Sequence, residues 1–173
     1  MDLSKFKTSD WLKVGGAVLM LISGFLTWNT AKLGGFEDSV NAFEFFFTGT
    51  IPWILVVGSG VVAFLLVAGM MKPGKLPWGM ILLLATGLAA LLVLIRFIFN
   101  PVEDKDLLEA AGGEISRGIG MFGGLIASLA AAAGAFMGFK DAGGSLSDLT
   151  DMDKMKGSFG GGSTPPPPPP PAG

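Results

Sequence analysis

Four long apolar stretches constrain this chain more than any other feature of its 173 residues. A hydrocarbon layer about 30 Å thick takes roughly 20 helical residues to cross, and a backbone group left unpaired in lipid costs several kcal/mol. Residues 11–28, 51–71, 76–96 and 118–139 meet that demand. The expectation is an all-α fold: a polytopic membrane protein whose residues 1–140 form a four-transmembrane-helix bundle, with 141–173 a flexible cytoplasmic tail. Charged residues make up only 15% of the chain, against about 25% in a soluble domain.

The ends of the stretches carry their own marks. Trp11, Trp28, Trp53 and Trp78 lie at span edges, where an amphipathic indole prefers the interface, and all four are expected to be interfacial. Pro52 and Pro77 open the second and third spans, where a missing N–H costs nothing. Lys72-Pro73-Gly74-Lys75 is a turn short enough to force an antiparallel pair. Lys13 sits one turn inside the first span, with a stem that can reach the headgroups. With the N-terminus inside, the cytoplasmic side holds Lys5, Lys7, Lys13, Lys72, Lys75, Lys140, Lys154 and Lys156, and the outer side holds Lys32, Arg96, Lys105 and Arg117. Eight against four places both termini in the cytoplasm and the protein in the cell membrane. No small-residue cleavage site follows the first span, so it reads as a helix that stays.

The fourth span differs in kind. Six glycines, six alanines and Ser128 make 13 of its 22 residues small. Gly120, Gly124, Ser128 and Ala132 recur every four residues and make a helix-packing face, beside a second row of Gly123, Ala127, Ala131 and Ala135. Helices in lipid associate through such close contact, because the lipid tails are as apolar as leucine. The third span, rich in leucine, is expected to face lipid.

In the first outer loop Phe36, Val40, Phe43 and Phe47 fall at i, i+4, i+7 and i+11, which predicts a short interfacial helix. Asn100-Pro101 stops the third helix, and the loop beyond it, with Glu103, Asp104, Asp106, Glu109 and Glu114, reads as a solvated acidic segment. In the tail, Leu146, Leu149, Met152 and Met155 are spaced as in a short helix, and the seven prolines of 165–171 predict a polyproline II rod, open to recognition by a protein partner.

Chemistry-bearing patterns are scarce. The chain has no His, Cys or Tyr, which excludes disulfides, thiolate nucleophiles and histidine acid–base catalysis. The central thirds of the spans carry no ionisable side chain, the usual mark of a transport path. Arg96 lies a turn from the outer boundary, placed to snorkel or to pair with Glu44 or Glu103. No phosphate cradle, nucleophile elbow or metal-ligand spacing is present. Catalytic, cofactor-binding and metal residues are therefore expected to be none, and a net charge of −2 gives no reason for nucleic acid.

Gly24-Phe25-Leu26-Thr27-Trp28, the run from Asn41 through Phe45-Phe46-Phe47 to Pro52-Trp53, Lys75-Leu76-Pro77-Trp78 and Arg117-Gly118-Ile119-Gly120 together resemble small four-span membrane proteins of actinobacteria. The resemblance covers residues 11–140. It implies four helices in a bacterial cytoplasmic membrane and brings no active site with it. The function expected is that of a non-enzymatic accessory or scaffold protein that meets partners through its outer loops or proline tail; the alternative is a small oligomeric transporter or pore.

Overall fold

A computed structural model describes residues 6–74, 76–101 and 105–145. The described chain runs α1 (Thr8–Phe25), β1 (Asn29–Leu33), β2 (Phe36–Val40), a 3-10 turn (Ala42–Glu44), a π turn (Phe46–Thr50), α2 (Ile51–Val67), α3 (Trp78–Phe99), α4 (Lys105–Ala110), β3 (Glu114–Arg117) and α5 (Ile119–Asp141). The tail helix and proline rod expected from the sequence lie outside the described residues.

Three helical stretches among these, Phe46–Val67, Trp78–Phe99 and Ile119–Asp141, are long and apolar enough to cross a membrane. α1 has 18 residues but opens on Thr8-Ser9-Asp10 and carries Lys13, so its first turns are polar. The four long helices pack as a ring: α1 lies against α2 and α5, and α3 lies against the same two. The most extensive contact is α1 with α5.

Small residues explain that contact. A Cβ placed on Gly16 would stand 2.7 Å from the Ala127 carbonyl, and one on Gly134 would stand 2.7 Å from that of Ser9. The two backbones therefore touch, and close van der Waals contact holds them together. Small and polar residues line part of the ring's interior, and large aliphatic ones cover much of its outside. Ser23, Ser59, Thr86 and Ser128 are buried, while Ile22, Ile54, Leu91 and Ile126 are more than half exposed. Thr86 Oγ1 donates to Leu82 O at 2.7 Å and Ser128 Oγ to Leu125 O at 3.0 Å, so neither hydroxyl is left bare. Met20, Val56, Val93 and Met121, all fully buried, fill the middle.

The first loop is not the short interfacial helix that its aromatic spacing predicts. Gly34 and Gly35 adopt φ of +56° and +89°, the double positive-φ turn that closes a two-residue hairpin. β1 and β2 pair antiparallel from Leu33↔Phe36 to Asn29↔Val40. On one face Thr30 meets Ser39 at 3.2 Å, and Lys32 pairs with Glu37 at 3.1 Å. The acidic second loop also contributes regular structure. After α4, β3 joins the free side of β1, giving the sheet order β2-β1-β3. The fold thus departs from all-α by one small sheet.

The packing generates a test. A Cβ on Gly124 would meet the Trp28 ring at 2.8 Å, while one on Gly58 would meet open space. Gly124→Ala should lower stability by about 1–3 kcal/mol, as overpacking does, and Gly58→Ala should not. Thermal unfolding in detergent reads the difference.

Candidate functional site

Polar side chains gather at the two ends of the helix ring, and each gathering contains a buried cation.

At the sheet end the centre is Arg96, in the last turns of α3 and only 1% exposed. Its Nη2 donates to Asn29 Oδ1 at 3.0 Å, and its Nη1 donates to Pro101 O at 3.2 Å and Thr48 Oγ1 at 3.4 Å. The guanidinium lies 3.2 Å from the centroid of the Phe45 ring, a close cation–π contact. Asn29 in turn donates Nδ2 to Asn100 Oδ1 at 2.7 Å. Asn100 ends α3 in a left-handed conformation, φ +41°, which an Asn accepts more readily than most residues. One arginine therefore gathers β1, the π turn, the α3 terminus and Phe45.

This arrangement corrects the expectation for Arg96. It neither snorkels nor pairs with Glu44: among the described residues neutral dipoles and one ring hold it, and its Nε has no partner. Glu103 lies outside the described residues. A buried charge lacking a counter-ion is costly unless its hydrogen bonds are good, so each of these acceptors carries weight. Arg117 adds a second tie, donating Nε to Phe97 O at 3.0 Å. Beside the network lies a cleft of about 450 Å³ between the sheet and the helix ends, where Asp38 and Glu44 stand among Ala31, Val40, Phe45 and Ile115.

At the opposite end Lys13 Nζ and Asp10 Oδ1 form an ion pair of 2.8 Å, with both residues 8% exposed. Asp10 Oδ2 accepts from the Lys7 backbone N–H at 3.1 Å and so caps the start of α1. Lys13 does not reach outward as its position in the sequence predicts. It packs against the glycine stretch of α5, and a Cβ on Gly138 would lie 3.2 Å from its Nζ. A cavity of about 230 Å³ opens beside the pair, lined by Asp10, Lys13, Ala63, Leu82, Ala135 and Phe139 among others.

The residues singled out from sequence divide between these places. Gly120, Gly124 and Ser128 are buried on α5, and a Cβ on either glycine would meet the Trp28 ring. Ala132 is only half-buried, while Ala127, Ala131 and Ala135 of the neighbouring row are buried. Trp28 faces into the protein rather than outward. It is wholly buried, its indole laid over Gly120 and Gly124 and its Nε1 donating to Ser23 O at 2.8 Å. The apolar run reaches Trp28, but the helix stops at Phe25 and turns the ring inward.

Trp53 is half-buried against Phe25 and Phe43. Trp78 is half-buried and donates to Pro73 O at 2.8 Å. Trp11 is half exposed and packs on Phe6. Asn29, Asn100 and Asp10 are the functional candidates that sequence reasoning passes over. The signal for Asp10 was present, a carboxylate one turn before Lys13.

Comparison with protein-family models, with curated proteins and with solved structures finds no match. No group of three or more acidic side chains able to hold a metal ion occurs among the described residues.

Removing one acceptor should expose the cost of the buried guanidinium. Asn29→Ala should destabilise the protein by about 2 kcal/mol or more, since a hydrogen bond to a charged group is lost in a buried site. Lys32→Ala, which breaks the exposed pair with Glu37, should cost less than about 1 kcal/mol. Chemical denaturation in micelles measures both.

Proposed function

We propose that this chain is a four-span protein of a bacterial cytoplasmic membrane, with both termini inside. Its role is that of a non-enzymatic accessory or scaffold subunit, and its sheet end is the surface offered to a protein partner outside the membrane. The observation that carries this reading is the contrast between a filled helix ring and an elaborated sheet end. Met20, Val56, Val93 and Met121 occupy the middle, whereas the sheet presents Phe36 at 85% exposure beside Glu37 and Asp38. An exposed aromatic among charges on an ordered edge strand fits recognition.

Several observations support the membrane reading. Three helices have the length and composition to cross, and large aliphatic side chains cover the outside of the ring while serines and a threonine lie within. α1 becomes the fourth span because Asp10 and Lys13 neutralise one another at its polar start. The Lys and Arg balance and the resemblance to actinobacterial four-span proteins support the orientation and the bacterial membrane. The filled middle argues against a pore through a single copy, so a transport role needs a path between copies.

The absence of cysteine makes orientation testable by single-cysteine labelling. Ser39→Cys should react in intact cells with a membrane-impermeant maleimide, and Lys72→Cys only after the membrane is opened. The reverse pattern overturns the topology. For the partner, a photo-crosslinking residue at Phe36 should yield a discrete adduct in cells that one at Lys72 does not. Recovery of the chain alone from both positions counts against a scaffold role.

A further inference from the structure

We infer that the cavity beside Lys13 is a binding site for an anionic phospholipid of the inner leaflet, its phosphate on the Lys13 ammonium and part of one chain among Ala63, Leu82, Ala135 and Phe139. This inference rests on the membrane reading given above.

The ion pair leaves the ammonium unsaturated. Both Asp10 oxygens are engaged, Oδ1 by Lys13 and Oδ2 by the Lys7 N–H. A lysine ammonium has three N–H donors, and among the described residues the Asp10 carboxylate is its hydrogen-bonding or ionic partner. Among the described residues two donors thus remain on a side chain that is 10% exposed and lines a cavity. Buried donors without acceptors are costly, and these call for acceptor oxygens arriving through the cavity. The rest of the lining is chiefly aliphatic and aromatic, so the molecule that supplies the oxygens has an apolar portion too.

Size and charge narrow the occupant. At about 230 Å³ the cavity is smaller than the clefts of about 300–1,000 Å³ that enclose a drug-sized ligand. Only one end of a larger amphiphile enters. Lys13 lies five residues beyond the start of α1, a descent of about 7 Å, so a phosphate near the headgroup layer can reach it. The described charges near this end are Lys7, Lys13, Lys72 and Lys140 against Asp10 and Asp141, a net positive rim that favours an anionic headgroup over a zwitterionic one.

The test uses the full-length chain purified in neutral detergent, its need for detergent being recorded first. A chain that stays dispersed without detergent refutes the membrane reading before any lipid is added. Thermal unfolding is then followed with phosphatidylglycerol, phosphatidylcholine or inorganic phosphate. Phosphatidylglycerol should raise the midpoint, and the other two should not. In Lys13→Met, apparent affinity for phosphatidylglycerol should fall roughly tenfold or more, because a charge-assisted hydrogen bond is lost. Should that variant fail to fold because Asp10 is orphaned, the double variant Asp10→Asn/Lys13→Met keeps the site neutral and should show the same loss. Equal stabilisation by both lipids, an effect of inorganic phosphate matching that of the lipid, or unchanged affinity in the variant that folds each overturns the site.

Discussion

Backbone contact between α1 and α5 is the constraint on which the rest of the structure depends. Helices rich in small residues hold together where their backbones approach closely. Gly16 against Ala127 and Gly134 against Ser9 bring two main chains together. Trp28 then closes the sheet end of the seam by lying flat on Gly120 and Gly124. Larger side chains on that face of α5 would part the helices, move the indole and open the buried ring. The outward leucines of α3, by contrast, have more room to vary in shape, since Leu84, Leu88, Leu91 and Leu94 are exposed.

The sheet end solves a different problem. Arg96 carries charge into a buried place, and the surrounding chain bends to meet it: Asn100 turns left-handed, Asn29 bridges two elements, and Phe45 covers the guanidinium. None of these contacts lies within one helix. The arginine is a fastener between separate parts of the chain, alongside the Asn29–Asn100 bond and the Arg117 tie to Phe97 O. At the far end Asp10 and Lys13 do the reverse, since a pair three residues apart satisfies itself locally and can turn its remaining donors elsewhere.

What the sequence reveals follows the range of the physics involved. Helix positions are legible because hydrocarbon thickness sets a length: α2, α3 and α5 begin within two residues of the expected starts. The α3 stop at Asn100-Pro101 is local and is legible as well. The hairpin is harder to see. Phe36, Val40, Phe43 and Phe47 have helical spacing, yet Gly34-Gly35 imposes a turn and the strands take the residues around it. β3 is harder still, since its partner β1 lies more than eighty residues upstream and no local pattern announces the pairing. Burial of Trp28 and Lys13 escapes notice for a related reason. Position within an apolar run gives depth, whereas the direction of a side chain depends on which neighbour has left room.

The strand order carries a consequence for how the molecule is made. The middle strand is drawn from the segment after the first long helix, and one of its flanking strands immediately precedes the last. A ribosome delivers these pieces far apart in time. β1 can gain its second partner only after β3, more than eighty residues downstream, has been made.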